Sequence, residues 1–415
     1  METTPDKLNI LSLQYYSYPD AIGGAWGLTY EINKRLVERK HRVHLITCKP
    51  EDTLPDQETI DGVEYYRIAK RHSKNLYRLS RALRKKLNQI FLQGSIDLIH
   101  IHNPLIARLV LRDSRLRKVP VVYHFHSSWY DEEKINCLAQ GPEDGHSSLW
   151  FRLKLAFRLS LIRRMEHYCY RRSKSILFLS EYSKKHYLDY GGSRKIRLRV
   201  IPGGVDINFF HPLTASQDPA EIRSHLKLPA EGRLMLTVRR LEARMGLENL
   251  IIAASEVMHR RPMDDFHLLI AGKGSLEGKL RDLIRQQDVE NRVHLLGLVP
   301  REQLPLYYRS ADLFLLPTLA LEGFGLATVE ALASGIPAMG TRVGGTLEIL
   351  QHIDDKLLFP GTDPKSLAAG LERFLNDPES FHALGSRCRL EVEEKYSWEK
   401  VVDRIQEEFI LLQRK

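Results

Sequence analysis

Two carboxylates, Glu322 and Glu330, stand eight residues apart in EGFGLATVEALASGIP, around a Gly-Phe-Gly turn. An acid near a helix start is ordinary, because it faces the positive end of the dipole. A turn stripped of side chains between two acids allows more. Bare amides at Gly325 and Leu326 would form an anion site suited to a diphosphate. Glu322, before the helix, could accept hydrogen bonds from sugar hydroxyls. Glu330, more than a turn later, could take both hydroxyls of a ribose, as acids do in other nucleotide folds. The plain alternative is a capped helix with a solvated glutamate.

Other segments have the same double character. TVRRLEARMG gathers Arg239, Arg240 and Arg244 where a strand gives way to a helix. Guanidinium groups bind phosphate oxygens bidentately and would neutralise a leaving diphosphate, although basic residues on an exposed helix start are also common. GGAWG places Gly23 and Gly24 in a strand-to-helix turn, where glycine lets the backbone approach a ligand. It reads equally as a tight turn, with Trp26 either core or stacking surface. IHIHN and HFHSSW carry two His-x-His pairs on strand ends, a spacing that shares one face and could hold a metal. No HExxH and no D-x-D accompanies them, so cleft-lining histidines and no metal site are expected. AGKGSLEG imitates a dinucleotide fingerprint, but its third glycine is misplaced and the next strand ends at Gly297 without an acid.

Composition bounds what these residues can belong to. The 415 residues, 43% hydrophobic and 27% charged, suit a soluble globular chain of two or three domains. No apolar run is long enough to suggest a transmembrane helix. METTPDKLNILSLQYY lacks the basic and apolar regions of a signal peptide. Cys48, Cys137, Cys169 and Cys388 are scattered, which signals neither a disulfide framework nor zinc. A cytoplasmic location is expected, or a peripheral one at the inner face of the membrane. The net charge of +10 is uneven: +14 over residues 1–210 (36 Lys and Arg against 22 Asp and Glu) and −4 over residues 211–415 (26 against 30). The basic half suits nucleic acid, anionic lipid or a phosphorylated acceptor. Its segments LYRLSRALRKKLNQI and WFRLKLAFRLSLIRRMEHYCYRR read as helices with arginines beside apolar residues, a pattern shared by interfacial helices and by core helices covered with long stems.

The elements that must position these residues alternate. Strands are predicted at 9–14, 42–47, 96–102, 119–126 and 175–180, and again at 234–238, 266–271, 293–296, 311–317 and 338–341, with helices between. Such alternation implies parallel sheets covered on both faces, and two series imply two doubly wound α/β domains. FFHPLTASQDP, 209–219, has the polar, proline-bearing character of a linker. Ligands in such folds sit beyond the carboxyl ends of the strands, where the glycine turns and His pairs fall.

Together these segments resemble the retaining GT-B glycosyltransferases of family 4. The Gly23-Gly24 loop, DLIHIHNP, HFH, VIPGGVDINFFHP, the RRL...G segment, AGKG and VHLLGLV all match. Most specific is the E-x7-E element continued by EALASGIPAMGTRVGGTLEIL. The resemblance implies two Rossmann-like domains, 1–208 on the acceptor side and 209–397 for the nucleotide sugar, facing a central cleft. A final helix, 398–415, would cross back to the first domain. It implies that Glu322 contacts the donor sugar and Glu330 the ribose, with the backbone of Gly23, Gly24, Gly272, Gly297, Phe324, Gly325 and Leu326 at the donor. His126 would orient the sugar, and Arg240 occupies the family's phosphate-binding position. The usual lysine before glycine is Met245 here, and Arg244 is the expected replacement. Further departures are Gly203 for the commoner asparagine and Trp26 for a small or acidic residue.

The activity so implied is metal-independent transfer with retention, needing no cofactor. The donor would be a UDP- or GDP-sugar, and the acceptor a carbohydrate, lipid-linked or small-molecule hydroxyl. Nucleic acid is not an expected partner, while the basic half suits contact with an anionic membrane. The alternatives are a catalytically silent sugar-nucleotide-binding subunit and an epimerase or phosphorylase on the same fold. A nicotinamide oxidoreductase ranks below them.

Overall fold

The computed structural model describes residues 7–73, 75–140, 148–215 and 217–413. The chain forms two compact units, one of residues 1–134, 142–203 and 398–415 and the other of residues 135–141 and 204–397. The division after Gly203 falls ahead of the segment with linker composition, which runs into the helix Pro219–His225. Among the described residues no helix is long and apolar enough to cross a membrane.

The first unit is built on β1 (Asn9–Leu13), β2 (Arg42–Cys48), β3 (Gln57–Ile60), β4 (Val63–Ile68), β5 (Leu98–Ile101), β6 (Val121–Phe125), β7 (Ser175–Phe178) and β8 (Arg197–Val200). They form one sheet in the order β3-β4-β2-β1-β5-β6-β7-β8. All neighbours run parallel except the β3–β4 hairpin. β1, β5, β6 and β7 are almost wholly buried, as expected of parallel strands covered by helices on both faces. The hairpin turns on Asp61 and Gly62, both with positive φ (45° and 78°), as a two-residue hairpin turn demands. The last helix, Trp398–Gln413, buries Trp398, Val401, Val402, Ile405 and Phe409 within this unit. Arg35 lies over the Trp398 ring at 5.0 Å, and Glu408 accepts from Arg197 at 2.6 and 2.9 Å.

The second unit holds β9 (Arg233–Val238), β10 (Phe266–Ala271), β11 (Val293–Gly297), β12 (Leu313–Leu316) and β13 (Ala338–Gly340). They pair in parallel in the order β11-β10-β9-β12-β13. In each sheet the winding direction reverses once, between β1 and β5 and between β9 and β12. Parallel doubly wound sheets open a crevice at that reversal, outside the carboxyl ends of the strands. TVRRLEARMG follows β9 and EGFGL follows β12, so the second crevice is bordered by both. The Gly23-Gly24 turn follows β1, and IHIHN runs out of β5.

Candidate active site

At the second crevice the side chain joined to Glu322 is Arg239, not Arg240. Arg239 Nη2 donates to Glu322 Oε2 at 3.1 Å and to Thr318 Oγ1 at 2.9 Å. The Thr318 hydroxyl also donates to Glu322 Oε2, at 3.0 Å. Arg239 Nη1 donates to the Met245 carbonyl at 3.0 Å, and Nη2 lies 3.0 Å from the Met245 sulfur. Its side chain is only 5% exposed, and burial pulls the guanidinium down to about 10, which leaves it charged at neutral pH. Arg240, the residue expected at phosphate, is exposed. Arg244 is buried, and its Nη1 donates to the Leu321 carbonyl at 3.0 Å.

Backbone geometry explains why these segments can meet. A Cβ at Gly246 would lie 1.9 Å from the Pro317 carbonyl oxygen, and one at Gly344 would lie 2.0 Å from that of Glu322. Both glycines have positive φ, so side chains are excluded by conformation and by space. Leu321 also has positive φ (56°), an uncommon state for a branched residue, and its carbonyl is the one Arg244 holds. The loop into Glu322 is thus clamped from two sides.

Gly325 (φ 101°) begins the helix Leu326–Ala333, and no side chain caps that terminus. The Thr328 and Thr346 hydroxyls are buried there without a protein partner. They lie 3.3 and 2.9 Å from the place a Cβ on Gly325 would occupy. Uncapped amides and unpaired hydroxyls together make a polar pocket suited to an anion. The Phe324 ring is packed edge-on against Tyr396 with centroids 5.5 Å apart, so only its backbone is available. Glu330 Oε2 accepts from the Tyr308 hydroxyl at 2.8 Å. Tyr308 is fully buried, and desolvation followed by the Glu330 charge holds its phenol well above the ordinary value.

Gly272 and Gly297 lie on the far side of β9 from β12, at the ends of β10 and β11. A Cβ on Gly272 would strike the Arg239 carbonyl oxygen at 1.8 Å, whereas one on Gly297 meets nothing within 4 Å. The AGKG glycines therefore let this turn lie against the arginine segment. Sequence reasoning missed Tyr308 and Thr318, and gave Arg239 only a share in the phosphate binding expected of the whole arginine segment. A threonine just after β12 and four residues before Glu322 is a usable signal in retrospect. Tyr308 carries none, because its pairing with Glu330 arises from packing.

In the first unit, Gly23 precedes the helix Gly24–Glu38, whose N-terminus also lacks a side-chain cap. Trp26 packs edge-on to Tyr16 at 5.4 Å and is half-buried, which makes it a wall beside the turn. His126 directly follows β6 and keeps partial exposure. It heads a chain of imidazoles: His126 Nε2 lies 3.0 Å from His102 Nδ1, and His102 Nε2 lies 3.2 Å from His100 Nδ1. His124 stacks on His126 at 4.9 Å, and both His124 nitrogens are buried without a partner. Desolvation lowers all four, His126 to about 4 and His100 to about 3, so the cluster is neutral. Ring nitrogens of His100, His102 and His124 lie within 4.8 Å of one another, a grouping that could take a metal. Both nitrogens of His102 are already within hydrogen-bonding distance of its neighbours in the chain that ends at His126, while the nitrogens of His124 stand outside that chain.

Comparison with known proteins meets this geometry. Residues 22–209 match the profile of Glycosyltransferase Family 4, and residues 218–390 that of Glycosyl transferases group 1. An uncharacterized glycosyltransferase of Methanocaldococcus jannaschii is 26% identical over 94% of this chain and 95% of its own length. A GDP-mannose-dependent monoacylated alpha-(1-6)-phosphatidylinositol monomannoside mannosyltransferase of Corynebacterium glutamicum is 30% identical over 55% of this chain and 60% of its own length. Among solved structures, sucrose-phosphate synthase from Thermosynechococcus elongatus superposes with a TM-score of 0.80 at 21% identity, covering 98% of this chain and 99% of that one. That likeness speaks for the GT-B fold. With both profiles matched in succession, the chain belongs to the group 1, family 4 glycosyltransferases, enzymes that transfer a sugar from a nucleotide sugar.

Proposed function

We propose that this glycosyltransferase transfers its sugar with retention and without a metal ion, from a UDP- or GDP-sugar to an acceptor hydroxyl. The observation that carries the reading is the uncapped, glycine-started helix after β12, with two unpaired threonine hydroxyls at its mouth, one carboxylate before it and another within it. In this reading the amides of Gly325 and Leu326 bind the diphosphate, Glu322 holds the sugar and Glu330 the ribose. Gly272 and Gly297 border the nucleotide. Retention needs no carboxylate nucleophile. The departing phosphate oxygen takes the acceptor's proton on the face from which it leaves, and catalysis rests on orientation and on stabilising the growing negative charge. Guanidinium groups can provide that stabilisation in place of a divalent ion. The test is transfer from a panel of UDP- and GDP-sugars, with the product's anomeric configuration read by NMR. An inverted anomer overturns retention, and activity abolished by saturating EDTA and restored by zinc overturns metal independence. Binding without turnover of any donor would favour the silent subunit.

The acceptor is proposed to reside at an anionic membrane surface. The helix Leu76–Phe91 carries five Lys and Arg and no acid, and Ser148–Arg172 carries seven against the single buried Glu166. Between these helices and Pro104–Val110 lies a groove of about 390 Å³, lined by leucines with Arg108, Arg112, Arg164 and Arg171 at its sides. Tyr77, Trp150 and Phe157 are 77%, 72% and 75% exposed nearby in sequence. Apolar side chains ringed by cations match a bilayer of anionic lipid. Cosedimentation with phosphatidylglycerol vesicles but not phosphatidylcholine vesicles is expected, and equal partition into both would refute it.

A further inference from the structure

We infer that Arg239 supplies, from the end of β9, the positive charge that residue 245 does not carry, and that it sets Glu322 in place for the donor. The inference rests on the reading of this crevice as a diphosphate-sugar site. Three residues from two segments converge on the one guanidinium. Nη1 is fixed by the Met245 carbonyl, and Nη2 touches the Met245 sulfur, the Thr318 hydroxyl and the Glu322 carboxylate, all within 3.1 Å. Contact with the sulfur is the informative distance. It puts the charge of Arg239 against the outer part of the residue-245 side chain, within the space that a longer, charged side chain at 245 would share.

The two other arginines of the segment are disposed otherwise. Arg244 spends a donor on the Leu321 carbonyl, which supports the loop behind Glu322, and Arg240 is turned outward. Arg239 Nε is buried without a protein partner, so its hydrogen-bonding capacity is not exhausted by the structural contacts. A guanidinium already desolvated and held from several sides needs no reorganisation as negative charge develops on a leaving diphosphate, which is the condition under which a fixed cation accelerates a reaction. A purely structural ion pair would share the burial. Its loss would not be made good by a charge supplied from residue 245.

That difference is the test. Arg239→Met keeps an unbranched apolar stem and removes the charge. It is expected to lower kcat on the order of a hundredfold. It should also weaken nucleoside diphosphate binding while leaving the affinity for the nucleoside alone unchanged. Adding Met245→Lys to that variant should recover most of both losses. The idea is overturned if Arg239→Met, folded by thermal melt, stays within about twofold of wild type in both readouts. It is equally overturned if Met245→Lys restores neither in a folded double variant. Should Arg239→Met not fold, Arg239→Met/Met245→Lys is compared with Arg239→Met/Met245→Leu, and equal diphosphate affinities refute the proposal. A wild type that binds no UDP, GDP or ADP would instead fail the reading of the site itself.

Discussion

Removing the Glu330 carboxylate has two separable costs. The Tyr308 phenol would lose its acceptor in a fully buried position, at about 1–3 kcal/mol of stability. The donor would lose charged hydrogen bonds to its ribose, worth about 1.5–3 kcal/mol of affinity. Glu330→Ala should therefore melt earlier and bind donor more weakly, whereas Tyr308→Phe should show only the loss of stability. If calorimetry finds donor affinity equally reduced in both, Glu330 is a packing residue. Glu322→Gln should behave differently, cutting turnover more than nucleoside diphosphate affinity, because its proposed contact is with the sugar. Equal losses would contradict that assignment. Two glycines calibrate backbone effects. Gly297→Ala meets no protein atom and should lower stability by only the left-handed penalty of about 1–2 kcal/mol, while Gly344→Ala collides with the Glu322 carbonyl and should lower stability further and reduce turnover. At this scale the sequence was legible wherever residue type dictates chemistry: the two glutamates and the bare turn between them could be read directly. Arg239 and Arg240 could not be ranked, since adjacent residues leaving a strand point to opposite sides and only the fold decides which is turned inward.

Among the elements, the paired strand ends β5 and β6 make the first unit sensitive to acid. Folding keeps four imidazoles neutral, with His126 lowered to about 4 and His100 to about 3, against an ordinary value of 6.5. The unfolded chain therefore binds protons below pH 6.5 that the folded chain refuses. Stability from this source is complete above that pH and is lost as pH falls through the window toward 4 and 3. Each unit of depression is worth about 1.4 kcal/mol, tempered at His126 by its partial exposure. Urea midpoints should drop markedly between pH 7.5 and pH 5. His124→Phe removes two unpaired buried nitrogens and should flatten that dependence without weakening the fold at pH 7.5. An unchanged slope would show that other groups govern it. The alternation of strands was legible in hydrophobic runs bounded by glycine turns. The β3–β4 hairpin was not read, although Asp61-Gly62 is a strong turn signal, because its strands are short and β3 is largely exposed. The Pro219–His225 helix was not read, because at seven residues it is too short to show a clear apolar period.

For the molecule as a whole, the final helix matters out of proportion to its length. Residues 398–413 contribute Trp398, Val401, Val402, Ile405 and Phe409 to the first unit, each worth about 1.5–3 kcal/mol when buried. Their sum is comparable with the whole stability of an ordinary domain. A chain ending at Ser397 should lose the cooperative melt of the first unit while residues 204–397 survive limited proteolysis, and protection of both at wild-type levels would refute this. Sequence resemblance implied that such a helix crosses back. Its anchors could not be read, because Glu408 meets Arg197 only across more than two hundred residues of intervening chain. The same arrangement has a consequence for biosynthesis. A nascent chain emerging from the ribosome presents the first unit long before its closing helix exists, and the entire second unit must be translated in the interval. At ordinary elongation rates that wait is on the order of tens of seconds. During it the imidazole His100, which Phe409 later meets edge-on at 5.0 Å, and the helix surface that receives Trp398 lack their cover. Until residues 398–413 have been made, that half-built domain keeps apolar surface open to aggregation.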